Sequence, residues 1–167
     1  MASAKDVATY FLQLDTDNTL FSNDEFITRN GRSFVQSSGR LNKYLHLAQN
    51  IYFAKTSELL FPEKLYAFDN GGVVEEIRTK FFHIRQQKQN VVVNLSDEIK
   101  VFLKKLYIIL KNADIDELIK LSHQDPEWIR KNRYFAKKDQ IMETEKHLQE
   151  YKEQYADVLQ LMESMAV

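Results

Sequence analysis

The sequence predicts a mainly α fold, a compact helical domain with a minor β-hairpin or small sheet and a long C-terminal helix. Three observations predict it. Glycine and proline are scarce, at four and two in 167 residues, and these residues punctuate strands and turns. Apolar residues recur at helical spacing in most windows. One segment near position 30 alternates around an Asn-Gly pair instead. The length suits a single domain that can bury roughly 68–70% of its unfolded surface.

The elements follow in order. Ser3 is placed to cap a first helix, with Asp6 at its positive end. Val7, Tyr10, Phe11 and Leu14 then fall on one face. Asp15-Thr16-Asp17-Asn18 ends it, because these side chains compete for backbone hydrogen bonds. Residues 19–37 form a hairpin insertion. Asn30-Gly31 lies between apolar-flanked runs, the strongest short hairpin signal, and its register sets Ile27 against Phe34 and Phe26 against Val35. A short helix from Asn23 is the competing reading. An isolated hairpin is marginal in water, so this one must lean on the body or on a partner.

A second helix is predicted from about Arg40 to Lys55, with Leu41, Tyr44, Leu45, Ala48 and Tyr52 inward. Leu65–Phe68 reads as a short strand, followed by a turn at Asp69-Asn70-Gly71-Gly72. A third helix turns Val74, Ile77, Phe81 and Ile84 inward. Val91-Val92-Val93 is β-prone and is predicted to pair with Leu65–Phe68. Ser96 caps a strongly amphipathic helix carrying Ile99, Phe102, Leu103, Leu106 and Leu110, the expected centre of the core. Asp114 opens another helix. Asp125-Pro126 is a cap followed by proline at the first helical position. From Asp139 to about Met165 the sequence predicts one helix. Ile141, Leu148, Tyr155 and Met162 interleave with Thr144, Tyr151, Val158 and Met165 as an a/d seam. It would be roughly 40 Å long.

Charge and composition bound the function. Net charge is −1, which argues against a general nucleic-acid binder. Residues 139–167 carry seven acidic and two basic side chains, a net −5, leaving +4 on the first 138. Arg130, Lys131, Arg133, Lys137 and Lys138, interleaved with Tyr134 and Phe135, read as a solvated connector that can pair with the acidic tail. There is no cysteine, so disulfides and thiolate metal sites are excluded. With no signal peptide in view, the expected location is cytoplasmic. No apolar run approaches the about 20 residues needed to span a membrane. The histidines His46, His83, His123 and His147 lie on separate elements without ligand spacing, so no metal and no cofactor is expected. Asp69-Asn70-Gly71-Gly72 lacks the lysine and hydroxyl of a phosphate-binding loop. Glu75 and Glu76 point about 100° apart on a helix and do not face one site. No catalytic constellation appears, and the chain is read as a non-enzyme.

Three blocks in order resemble a known family. Arg40-Leu41-Asn42-Lys43-Tyr44-Leu45-His46-Leu47-Ala48-Gln49 resembles the second-helix signature, approximately L-x-K-L-L-Y-x-A-Q, of the Panacea domain of SocA-like antitoxins and phage-associated proteins. Phe61 through Val74 resembles its next block, with Gly71-Gly72-Val73 in place of G-P-V. Ser122-His123-Gln124-Asp125-Pro126-Glu127-Trp128 resembles T-H-x-x-x-P-W, with Glu127 inserted between proline and tryptophan. The resemblance spans roughly residues 5–130 and implies a Panacea-like body over 1–138, with 139–167 as part of the same unit. It implies an antitoxin of a toxin–antitoxin pair that neutralises its toxin by direct contact. The family's toxins are diverse and include small alarmone-synthetase-like enzymes. Delivery of a toxin to a protease, or autoregulation through operator DNA, are the alternatives it leaves. No catalytic residue carries over. The expected partner is a cognate toxin, with self- or partner-oligomerisation through the C-terminal helix and no membrane. The candidate contact residues are Phe26, Ile27, Phe34 and Val35 on the hairpin, and Leu148, Tyr151, Tyr155, Val158 and Met162 on the C-terminal seam.

Overall fold

A computed structural model describes all residues, Met1–Val167. Helix α1 (Ala4–Leu14) is capped by the Ser3 hydroxyl, which accepts from the Asp6 N–H at 3.0 Å. It ends where the buried Asp15 carboxylate turns back to accept the N–H groups of Thr19, Leu20 and Phe21. Strands β1 (Phe26–Arg29) and β2 (Arg32–Val35) form the hairpin in the predicted register, Phe26 opposite Val35 and Ile27 opposite Phe34. Asn30 and Gly31 both adopt positive φ, 51° and 75°, as the two-residue turn requires.

Helix α2 (Gln36–Thr56) begins directly after the hairpin and is the axis of the molecule. Fifteen of its 21 residues are buried, on every side. This corrects the placement of the Ser96-capped helix, α4 (Asp97–Leu110), at the centre. α4 buries one face, Phe102, Leu103, Leu106 and Leu110, and exposes Val101. A strongly amphipathic stripe marks a peripheral helix. The central one concealed itself because its buried set includes Ser37, Ser38, Asn42, Lys43, His46, Gln49 and Asn50. Around α2 pack α1, α3 (Glu75–Gln86), α4, α5 (Ile115–Ser122) and α7 (Leu148–Gln154).

Strands β3 (Tyr66–Phe68) and β4 (Gly71–Val73) make a second antiparallel pair. The predicted pairing of Val91–Val93 with this segment does not occur. Both edges of β3 are taken, since Tyr66 pairs with Val73 on one side and bridges Ile141 on the other. The 88–91 backbone is held instead by Gln13, whose Nε2 donates to the carbonyls of Lys88 and Val91.

The single long C-terminal helix is also corrected. Residues 137–147 are two short 3-10 turns around an extended stretch at Ile141–Met142, then α7, then α8 (Ala156–Ser164). The backbone explains it. Met142 N–H donates to the Leu65 carbonyl at 2.8 Å and Glu143 N–H to the Glu127 carboxylate at 2.6 Å. Those donors are lost to the i→i−4 ladder, and tertiary hydrogen bonds outweigh propensity. Tyr155 stands at φ −104°, ψ 13° between α7 and α8. The inward residues Met142, Tyr151, Tyr155 and Met162 join the main core. No helix is long and apolar enough to cross a membrane.

Candidate functional site

Between the hairpin, the start of α2, the β3–β4 turn, α3 and residues 132–140 lies a cleft of about 610 Å³. Its volume falls in the range of ligand and partner pockets. The sequence builds one wall from the hairpin. Phe34 seats against Gly39, where an added Cβ would lie 2.5 Å from the ring. Arg29 pairs with Asp116 at 2.7 Å and Arg32 with Asp69 at 2.8 Å. Asn30 donates to Asn70 at 2.8 Å, and Asn70 in turn donates to the Arg29 carbonyl. At the strand base Arg85 grips Asp24 with two bonds, and with Ser37 holds that carboxyl well down, at about 2. The hairpin therefore leans on the body.

The mouth of the cleft is aromatic and open to solvent. Phe26 is 73% exposed, Phe82 52%, Tyr134 38%, and Phe135 fully exposed. Apolar side chains of that size concentrated at one concavity make it the candidate interaction site. Tyr134 and Phe135 belong to the basic connector. Four of its five cations are engaged: Arg130 and Lys131 with Glu143, Lys137 with Glu75, and Arg133 over the Tyr134 ring.

On the floor stands Lys43, 2% exposed. Burial pushes its pKa down to about 8. Its ammonium lies 5.6 Å from the Phe34 ring centroid and has no hydrogen bond or ion pair. The other buried lysine, Lys88, is the contrast. Its ammonium donates to the Leu12 and Asp15 carbonyls and to Asn18 Oδ1, at 2.6–3.1 Å.

Behind the cleft is a buried polar hub. Asp125, fully buried, caps α6 (Pro126–Asn132) through the Glu127 N–H. It also accepts from His46 Nε2 at 2.7 Å, Asn50 Nδ2 at 2.8 Å and the Tyr151 hydroxyl at 2.6 Å. Gly72 N–H donates to His46 Nδ1 at 3.0 Å, so Nδ1 keeps its lone pair and Nε2 carries the proton given to Asp125. Burial alone raises the Asp125 pKa, but the donors of His46, Tyr151 and Asn50 outweigh it and hold it below the usual carboxylate range. Beside it Glu127, also buried, accepts from Arg130, His147 Nε2 and the Glu143 N–H. These are structural ties. No group of three His, Asp or Glu side chains is placed to hold a metal ion, and no nucleophile–base pair faces the cleft.

Residues 41–129, just over half of the chain, match the family described as antitoxin SocA-like, Panacea domain. The chain belongs to this family. Comparison with curated proteins and with solved structures returns no match. In this Panacea domain the three sequence blocks converge on one point. Leu41, Tyr44, Leu45 and Ala48 of the first block are core, and its His46 meets the glycine block. A Cβ on Gly72 would lie 2.9 Å from His46 Nδ1, and one on Gly71, at φ +125°, 2.6 Å from Ser122 Oγ. In the third block Asp125 joins His46. His123 stacks on Trp128 at 3.9 Å, and the Trp128 indole donates to the Phe68 carbonyl at 2.7 Å. Glu127, between Pro126 and Trp128, anchors the C-terminal segment through the Glu143 N–H and His147.

The predicted contact residues divide. Phe26, Phe34 and Val35 line the cleft, and Ile27 is half-buried on the same hairpin outside it. On the C-terminal seam Tyr151, Tyr155 and Met162 are buried in the Panacea domain's own core, leaving Leu148 and Val158 half-exposed. Lys43, Phe82, Tyr134 and Phe135 escaped the sequence reading as site residues. Tyr134 and Phe135 carried a signal, aromatics inside a polar connector with no helical periodicity to bury them.

Proposed function

We propose that this chain is the antitoxin of a type II toxin–antitoxin pair and neutralises its cognate toxin in the cytoplasm by direct contact at the cleft mouth. Membership of the SocA-like family supports the class of function. The observation that carries the site is the ring of exposed aromatics, Phe26, Phe82, Tyr134 and Phe135, around a preformed concavity. Such residues dominate interface hot spots when a partner desolvates them. The toxin class we propose is a small alarmone-synthetase-like enzyme. The hairpin positions Phe26, Phe34 and Val35 contribute to the contact, with Ile27 beside them, and Leu148 and Val158 mark a secondary patch.

The test is a rescue assay with the product of the neighbouring open reading frame. Expressed alone it arrests growth, and the wild-type chain restores it. The double variant Phe26→Asp/Phe135→Asp loses rescue while keeping its urea midpoint, since both side chains are exposed. Full rescue by that variant refutes the assignment of the cleft mouth. Toxin half-life separates blocking, which leaves it unchanged, from delivery to a protease, which shortens it.

A further inference from the structure

We infer that Lys43 is the receptor for a carboxylate, carried on an apolar segment of the partner protein that enters the cleft. The inference rests on the antitoxin reading for the identity of the partner. Its chemistry rests on the cleft itself. A lysine residue that is 98% buried normally finds acceptors for its ammonium, as Lys88, also buried, does with three. Lys43 collects none, although it opens into a cleft large enough to admit a side chain. The cleft's one carboxylate, Asp69, is held by Arg32 and Asn132. Arg78, the third cation of the lining, is held by Glu75. Arg32 and Arg78 thus each have a carboxylate partner, and Lys43 is the one cation of the lining without one. A cation on a largely buried stem, open only to the cleft, favours a charge-assisted bond to an anion.

The surroundings narrow the ligand. Phe34, Phe68, Phe81 and Val73 line the approach to Lys43. They suit an apolar side chain next to the anion better than a bare, strongly hydrated one. Lys43 is a single ammonium without a second unpaired cation in the lining, which suits a singly charged carboxylate rather than a phosphate. The exposed rim, with Phe135 and Phe26 standing free, extends the contact beyond the cleft and suits a polypeptide rather than a free metabolite.

Titrations of the full chain test this with N-acetyl-phenylalanine, N-acetyl-phenylalaninamide and inorganic phosphate. The Lys43 side-chain resonances are followed by NMR. The acid binds on the order of tenfold or more tighter than the amide, the worth of one charge-assisted hydrogen bond, and its binding raises the Lys43 pKa. Across pH 7 to 9.5 the acid's advantage fades as Lys43 loses its proton, while amide binding stays flat. The other charged groups facing this point are tied in pairs, Arg32 with Asp69 and Arg78 with Glu75, which raises the Arg78 pKa. His46 has both ring nitrogens committed, and burial holds the His123 pKa low. Tyr134→Phe removes the remaining phenol as a control. In Lys43→Met the acid and amide bind alike, and rescue of the toxin is lost with folding intact.

Equal binding of acid and amide to the wild type overturns the inference, as does a retained acid preference in Lys43→Met. Displacement of the acid by inorganic phosphate at equal concentration also overturns it, because the site is then one for free small anions. A wild-type chain that keeps the acid preference but neutralises no toxin overturns the antitoxin reading alone. Equal rescue by wild type and Lys43→Met overturns this inference alone.

Discussion

Asp125→Ala tests the hub directly. The substitution removes one carboxylate and orphans three buried side-chain donors, His46 Nε2, Asn50 Nδ2 and the Tyr151 hydroxyl, together with the N–H of Glu127 at the start of α6. A buried donor left unpaired costs about 1–3 kcal/mol, and loss of an N-cap about 1 kcal/mol. Two effects oppose these losses. The desolvated charge itself disappears, and water can occupy part of the vacated volume. The net expectation is about 4 kcal/mol, in line with about 3–5 kcal/mol for breaking a buried polar pair on one side. A domain with about 5–15 kcal/mol of stability survives at reduced margin. The assay is urea unfolding followed by Trp128, the only tryptophan, which packs beside the hub. With a slope of about 2 kcal/mol/M, the midpoint falls by about 2 M at unchanged slope. Tyr151→Phe leaves Asp125 with three donors and falls by about 0.5–1 M on the same estimate. A fall below about 0.3 M for Asp125→Ala refutes the hub as a tie between α2, α6 and α7.

Other outcomes follow from the same geometry. Burial works against a charged His147, but Glu150 and Glu127 at its two nitrogens outweigh it and raise its pKa. Its contribution is therefore complete below the unfolded value of about 6.5 and is lost as pH rises through the folded one. The midpoint gap between wild type and His147→Gln shrinks from pH 6 to pH 8.5, and a constant gap contradicts the assignment. Gly72→Ala forces a methyl to 2.9 Å from His46 and lowers the thermal midpoint by several degrees, at about 2–4 °C per kcal/mol. Gly31→Ala, with open space around its Cβ, costs about 1 kcal/mol from positive φ alone, so the two variants rank clearly in a melting experiment. Leu45→Ala, at the fully buried centre of α2, costs about 2–5 kcal/mol in the same urea titration.

Local chemistry was legible in the sequence where it acts over a few residues. Ser3, Ser96, Asp114 and Asp125 cap the helices that follow them, and Asn30-Gly31 sets the hairpin register. The errors all have a tertiary cause. α2 was underrated because a helix buried on every face shows little hydrophobic periodicity. The 139–165 seam was overrated because a heptad count does not register backbone donors diverted to Leu65 and Glu127. The cleft was half legible. Its hairpin wall came from alternation and turn chemistry. Lys43 sat unremarked inside the second-helix signature, because spacing does not reveal whether a buried ammonium has acceptors. Phe135 reads in the sequence as an aromatic among cations, but exposure is set by what packs against it.

Helix α2 carries a last consequence. Enclosed on all sides, it has no face on which a substitution goes unnoticed, so sequence drift there is expensive. The hairpin 26–35 and the connector 133–140 lie outside the family-matched span, and their exposed side chains contribute little to that enclosure. A lineage can therefore exchange Phe26 or Phe135 for other residues, and so change the shape of the cleft mouth, without renegotiating the interior. The fold separates the positions that must stay from the positions free to change.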